Sequence, residues 1–313
     1  MSVTPIQGWQ GLAPEQRGAA VALGAFDGVH RGHRQVIAEA AQAAKALDAP
    51  LGVIRFSPHP VQVMRPGIEP FLLMSPQQQA RALGELGVAR LYDLAFGPDL
   101  YRLSAEEFAR DVLVGGLGVR HVAAGFDITF GKDRGGDAET LKRLGREHGF
   151  GVTIAQAVSG EGGGKASSTA AREAIRVGDV GRAARILGRP FAIEGVVVEG
   201  QHLGRKLGFP TANVALNGYV TPRLGVYATR TRLADGRKLP GVANIGENPT
   251  TGLVEARLEV WLFDFDEDLY GQTIETELIA FLRPEAKFDG LDALTAQVMA
   301  DAAQARAMLA SAP

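Results

Sequence analysis

VALGAFDGVHRGHRQVI, residues Val21 to Ile37, sets an apolar run, a glycine turn and two histidines at one strand-to-helix junction. Val21, Ala22 and Leu23 continue an apolar run from Ala19, the pattern of a strand buried on both faces. Gly24 and Gly28 then let the backbone turn and come close to a ligand. From His33 to Leu47 the chain is rich in alanine and long side chains, with neither glycine nor proline before Pro50, which predicts a helix. A helix that starts just after a glycine turn presents unsatisfied N–H groups and the positive end of its dipole, both suited to phosphate oxygens. His30 and His33 share one face of that helix start and add donors there. Two surface histidines that merely flank a turn would show the same spacing.

Outward from this junction, strand-like segments at 19–26, 51–56, 90–96, 120–125 and 151–155 alternate with helical ones at 33–47, 76–86, 105–114 and 138–148. Ser104 and Glu107 form a capping box at the start of the third helix. Such alternation predicts an α/β fold with a doubly wound parallel sheet, whose ligands bind outside the carboxyl ends of the strands. Two further segments follow such ends. Phe56-Ser57-Pro58-His59-Pro60 is a proline-shaped turn with a third histidine, and residues 125–137 form a glycine-rich loop with Lys132 and Arg134. Solvated loops of that composition are also common without a ligand.

The run from Ser159 to Thr169 invites a P-loop reading, and the spacing refuses it. Ser159 stands where a glycine is required and Ala166 where Ser or Thr must follow Lys165. What remains is a glycine loop at 160–164 leading into a helix from Ser168 to Leu187, with a break at Gly178-Asp179 and an end at Gly188-Arg189-Pro190. The domain boundary falls there, giving residues 1–188 and 189–313.

Beyond the boundary the apolar period changes to two. Segments 191–199, 225–233, 238–244, 256–264 and 273–282 predict a small antiparallel β-barrel, followed by an amphipathic helix over 291–309 with Leu294, Val298, Ala302 and Ala305 on one stripe. The densest motif of this half is GQHLGRKLGFPTAN, Gly200 to Asn213. Thr211 and Asn213, two apart in an extended strand, point the same way and suit one magnesium ion; a polar pair on an exposed strand face is the alternative.

The opening run resembles the G-x-F-D-G-x-H-x-G-H signature of the nucleotidyltransferase superfamily in the version carried by bacterial riboflavin kinase/FAD synthetases. Gly24, Phe26, Asp27, Gly28, His30, Gly32 and His33 fall on it. The turn at His59 resembles the family's F-x-P-H-P, and Asp127, Phe130 and Gly131 match its G-x-[DN]-F-x-F-G loop, with Ile128 replacing the usual aromatic. Ser167-Ser168-Thr169-Ala170-Ala171-Arg172 resembles S-S-T-x-I-R, with Ala166 and Ala171 standing where the family prefers larger aliphatics. In the second half, Gly204, Arg205, Gly208, Pro210, Thr211 and Asn213 match the riboflavin kinase loop G-x-x-x-G-R-x-L-G-x-P-T-A-N. Further matches are Gly225-Val226-Tyr227, the segment of Asn244, Pro249-Thr250, Leu258-Glu259-Val260 and Leu269-Tyr270-Gly271.

The resemblance implies a bifunctional enzyme. Its second domain phosphorylates riboflavin with ATP and Mg2+, with Glu259 as catalytic base. Its first domain adenylylates FMN to FAD, with His30 and His33 on the phosphates and Thr169 and Arg172 on the triphosphate. The remaining matched residues hold ATP or flavin. Two other readings stay open: a single-activity nucleotidyltransferase with a silent barrel, and a non-catalytic flavin-binding protein.

Composition narrows the field. A chain of 313 residues, 46% of them apolar, supplies two cores. A net charge of −2 provides no basic excess for coating nucleic acid. The absence of cysteine removes disulfides, thiolate metal sites and cysteine nucleophiles. With neither a spanning apolar run nor a signal-peptide pattern, the expectation is a cytoplasmic protein that avoids membranes and takes small-molecule partners. The sequence leaves homo-oligomerisation open.

Overall fold

The computed structural model describes residues 3–158, 166–200, 204, 207–247 and 256–311. They fall into two compact units, one built from residues up to 68 and 76–166, the other from 69–75 and 167 onward.

The first unit holds six strands: β1 (Pro5–Gln7), β2 (Ala20–Leu23), β3 (Leu51–Ser57), β4 (Arg90–Ala95), β5 (His121–Gly125) and β6 (Gly151–Ala155). Every pairing is parallel, in the order β1-β4-β3-β2-β5-β6. The winding reverses at β2, which pairs with β3 on one side and β5 on the other, so the crevice at its carboxyl end lies at a topological switch point. All four β2 residues are buried, as expected of a central strand. Its helices are α1 (Arg31–Ala46), α2 (Pro60–Met64), α3 (Pro76–Glu85), α4 (Pro98–Tyr101), α5 (Ala105–Glu107) and α6 (Ala138–His148). Val21, Ile54, Tyr92, Val122, Phe108 and Leu141 are among the buried residues of its core.

Two expectations change here. β1 was not anticipated: three residues beginning with Pro5 carry no apolar run, and only their pairing with β4 makes them a strand. The helix expected over 105–114 is a single α turn that widens into a π-helix, Phe108–Gly116, whose end shows Leu117 N–H donating to Val112 C=O five residues back at 2.9 Å. Its capping box forms as read, with Ser104 N–H donating to Glu107 Oε2 at 2.8 Å and Glu107 N–H to Ser104 Oγ at 3.1 Å.

The second unit opens with α7 (Ser168–Arg176) and α8 (Val180–Leu187). The break between them is Gly178, in the left-handed region at φ +82°, and Asp179, which caps α8 by accepting from Arg182 N–H at 2.9 Å. A closed antiparallel barrel follows, formed by β7 (Phe191–Val198), β8 (Ala212–Ala215), β9 (Gly225–Arg232), β10 (Lys238–Glu247), β11 (Ala256–Leu262) and β12 (Thr273–Arg283). Its order is β10-β11-β8-β7-β12-β9. Closure leaves no sheet edge. Helix α9 (Leu291–Ser311) lays Ala302, Ala305 and Leu309 on Val226, Val242 and Phe263. Residues 69–75 join this unit through the backbone: Phe71 and Leu72 donate to Gly218 C=O at 3.1 and 3.0 Å, and Val220 donates to Leu72 C=O at 2.8 Å. Among the described residues no helix is long and apolar enough to cross a membrane.

Candidate active sites

Between β2 and α1 the chain makes a strained turn. Phe26 and Val29, both buried, sit at φ +53° and +38°, and Gly28 sits at +84°. Side chains rarely adopt such values, and clusters of them mark functional turns. Val29 N–H closes the turn onto Phe26 C=O at 3.0 Å. His30 is the N-cap of α1: its Nδ1 accepts from His33 N–H at 3.2 Å, so in the neutral ring the proton is on Nε2. The His30 and His33 rings stack with centroids 3.6 Å apart, and Phe26 meets His33 edge-on at 5.2 Å. Gly32 leaves room for this arrangement, since a Cβ there would lie 3.0 Å from His30 Cε1 and 3.2 Å from Ala166 O. The structure therefore gathers Gly24, Phe26, Asp27, Gly28, His30 and His33 into one turn at the switch point.

The other strand ends of this unit carry the remaining residues. His59 caps α2 as His30 caps α1, with Nδ1 accepting from Val61 N–H at 3.2 Å and Gln62 Oε1 accepting from His59 N–H at 3.2 Å. After β5, Asp127 is exposed. Phe130 is 8% exposed and packs on Phe108 with ring centroids 5.9 Å apart, so it supports the loop from the core; Phe126 is the exposed aromatic, at 43%. The one signal for Phe126 in the sequence is its place directly after Gly125 at a strand's carboxyl end.

In the second unit Ser167 caps α7, its Oγ accepting from Ala170 N–H at 3.2 Å, while Ser168 is half-buried and Thr169 exposed. Arg172 donates from Nε to Phe71 C=O at 2.7 Å and lies 5.0 Å over the Phe71 ring, a double contact that fixes the plane of its guanidinium. Nothing in the local sequence pairs Phe71 with Arg172. Ala166 and Ala171 are fully buried, so the small residues there fill packed positions. The glycine loop 160–164 and Lys165 lie outside the described residues.

The barrel brings three polar residues into register: Asn244 on β10 opposes Glu259 on β11, which opposes Asn213 on β8. Directly opposed residues of antiparallel strands point to the same face, so the three form a row. Glu259 opens into a cavity of about 300 Å3 that Thr211, Asn244, Trp261, Arg283 and Glu285 also line. Burial pushes its carboxyl above the usual glutamate range; the Arg257 cation opposes the shift and the Glu285 carboxylate adds to it. Trp261 packs on Phe209 and Phe263, with centroid distances of 5.8 and 5.6 Å, and lines the cavity. A second cavity of about 300 Å3 is lined by Gly200, Pro210, Thr211, Asn213 and Tyr270. Thr211 borders both. Gly204 and Gly208 form the turn before it: Leu207 and Phe209 N–H both donate to Gly204 C=O, at 3.1 and 2.9 Å, with Gly208 at φ +89°. Arg205, Pro249 and Thr250 lie outside the described residues.

The stripe of α9 has two uses. Ala302 and Ala305 pack, whereas Leu294 and Val298 line the Glu259 cavity. Arg283 is held there by Asp301 of the same helix at 2.8 Å, and Glu285 accepts from Asn244 Nδ2 at 3.5 Å. These three charged residues were not anticipated; Arg283-Pro284-Glu285 closing a strand was the only local hint.

Thr211 and Asn213 fit magnesium in donor type. Both supply neutral oxygen, and Asn213 is buried with its amide held against Gly200, where a Cβ would lie 2.4 Å from Asn213 Nδ2. That Nδ2 donates to Thr211 C=O at 3.5 Å, which turns Oδ1 the other way. No group of three or more His, Cys, Asp or Glu able to hold a metal occurs among the described residues. The pair suits an ion that keeps phosphate and water ligands, as magnesium does.

Comparison with known proteins agrees with this two-site picture. Residues 12–170 match the family model of FAD synthetase and residues 187–309 that of riboflavin kinase. The chain is 44% identical over 306 residues to the bifunctional riboflavin kinase/FMN adenylyltransferase of Pseudomonas fluorescens, covering 97% of both. It is 40% identical to the enzyme of that name from Escherichia coli K12, at 93% of both, and 39% identical to that of Bacillus subtilis, at 94% of this chain and 93% of the other. A crystal structure from Streptococcus pneumoniae described as a macrolide-efflux protein is 34% identical and superposes with a TM-score of 0.84 over 96% of this chain and 97% of that one. Two family matches in tandem, and full-length relatives that carry both, place the chain in the bifunctional riboflavin kinase/FMN adenylyltransferase family.

Proposed function

We propose that the barrel phosphorylates riboflavin to FMN with ATP and that the N-terminal α/β domain joins FMN to ATP, giving FAD and pyrophosphate. The division of labour is 1–188 for adenylyl transfer and 189–313 for the kinase. The observation that carries the reading is the half-buried Glu259, whose carboxyl is raised by burial and stands in a row of amides at a ligand-sized cavity. A base of this kind takes the proton of the riboflavin primary alcohol as its oxygen attacks the γ-phosphorus and ADP leaves. Magnesium, when bound by Thr211 and Asn213, neutralises charge on the transferring phosphates. The cavity shared by Glu259 and Trp261 takes the flavin, and the one beyond Thr211 takes ATP.

Adenylyl transfer requires no covalent enzyme intermediate. An FMN phosphate oxygen attacks the α-phosphorus of ATP, and the bond to pyrophosphate breaks. His30 donates from Nε2 to the phosphates as negative charge builds, with the N–H groups at the start of α1 behind it. His33 adds a second imidazole, and Ser168, Thr169 and Arg172 take phosphate charge. The cytoplasm, which supplies ATP, is the proposed compartment; nucleic acid has no part in this scheme.

Incubation with riboflavin, ATP and Mg2+, followed by chromatography, is expected to show FMN first and FAD after it, with ADP and pyrophosphate. FAD from supplied FMN but no FMN from riboflavin would make the barrel silent. Bound flavin with no consumption of ATP would make the protein a receptor. Thr211→Val, which keeps the shape and removes the hydroxyl, is expected to raise the Mg2+ concentration for half-maximal FMN formation by about tenfold. FAD formation from supplied FMN should not change.

A further inference from the structure

The first unit contains a buried ion pair that the scheme above does not use. Arg55 on β3 and Asp93 on β4 are 4% and 7% exposed, with Arg55 Nη2 2.6 Å from Asp93 Oδ2. Arg55 Nη1 donates to Pro76 C=O at 3.1 Å and to Gln79 Oε1 at 3.0 Å. Gln79 on α3 is 9% exposed and donates from Nε2 to Ala25 C=O at 2.9 Å. Ala25 directly precedes Phe26, where φ becomes positive.

Every bond in this chain has one polarity. A guanidinium has no acceptor, so Arg55 can only donate: Asp93 receives one N–H and the Gln79 oxygen must receive another. The Gln79 amide then has one orientation, with its NH2 toward the Ala25 carbonyl. A buried ion pair is weak evidence for stability, because desolvation cancels much of its attraction. This one also leaves Arg55 Nε and Asp93 Oδ1 without a hydrogen-bond partner among the described residues. It does orient a neutral amide whose single remaining task is to hold the strained turn. On the other side of Ala25, Gly24 N–H reaches Ile54 C=O at only 3.4 Å, so the Gln79 bond is the shorter of these two restraints.

We propose that Gln79, oriented by the Arg55–Asp93 pair, is a positioning residue for FMN adenylyl transfer: it fixes the Ala25–Val29 turn and through it the phosphate-facing start of α1 with His30. The proposal rests on the adenylyltransferase reading of this turn. Displacement of a preorganised donor set penalises the transition state more than substrate binding, so the effect appears in kcat.

Arg55 and Asp93 variants risk a fold with one buried charge uncompensated, so the test uses Gln79. Gln79→Met keeps the volume and removes both polar atoms. Gln79→Glu keeps the acceptor for Arg55 and loses the donor to Ala25. Both are expected to lower kcat for FAD formation from supplied FMN by about tenfold or more, with KM for ATP changed much less. FMN formation from riboflavin, measured on the same preparations, should stay within about twofold of the unaltered protein because its residues are remote in sequence and share no partner with Gln79. A purely structural role predicts that Gln79→Glu, which still satisfies Arg55, retains FAD formation. That result, an unchanged kcat in Gln79→Met, or parallel loss of both activities would overturn the proposal. Absence of FAD formation in the unaltered protein would instead remove the adenylyltransferase reading.

Discussion

Glu259→Gln is expected to lower FMN formation by about 10^2- to 10^4-fold, the range supplied by a positioned general base, while supplied FMN is still converted to FAD. The amide matches the carboxyl in size and keeps a hydrogen-bonding group toward the cavity but cannot take the alcohol proton. In the unaltered protein FMN formation should fall as pH drops through the raised pKa of Glu259, so its acid limb lies above the ordinary glutamate value. The same shift has a consequence for stability. Between the unfolded and the raised folded pKa the native state holds more protons than the unfolded one, so this group's contribution to stability falls as pH rises. Above the folded pKa the ionised carboxylate costs stability in full. Glu259→Gln should therefore unfold at a higher temperature than the unaltered protein at neutral pH, with the gain vanishing once the pH is below both pKa values. A variant that loses activity and stability together would show that Glu259 supports the barrel rather than the chemistry.

That coupling of strain to function explains which parts of the molecule were legible in the sequence. β2 and β5 could be read because a strand buried on both faces must be apolar through its centre, whatever its neighbours. β1 could not, being three residues whose strand character comes from its partner, and of β8 only the extended start at Thr211–Asn213 was legible. At the sites, His30 and His33 beside Gly28 and the Thr211–Asn213 pair were visible through local chemistry, and Glu259 through its match to the family motif. Contacts made across distance were silent. Gln79 meets Ala25 from 54 residues away and Arg172 meets Phe71 from 101, and no periodicity encodes either pair. Phe130 shows the opposite limit, because a motif position does not reveal whether an aromatic faces ligand or core; packing on Phe108 puts it in the core.

His30 presents the remaining question, since one ring performs two tasks. Its Nδ1 caps α1 by accepting from His33 N–H, and its Nε2 is the proposed phosphate donor. Alanine removes both and asparagine only one, because asparagine is among the strongest N-caps. His30→Ala is expected to lower FAD formation from FMN by about 10^2-fold, the loss typical of one transition-state donor, and to destabilise the first unit by about 1 kcal/mol through the lost cap. His30→Asn should show the same catalytic loss with stability restored. His33→Ala leaves the cap intact, because His33 contributes its backbone N–H there, and should still cost about tenfold or more in FAD formation. FMN formation is expected to be unchanged in all three variants, since the barrel contains none of these groups. Should His30→Asn form FAD at the unaltered rate, the ring would be a helix cap alone, and phosphate stabilisation at this turn would fall to the backbone N–H groups of α1 and to His33.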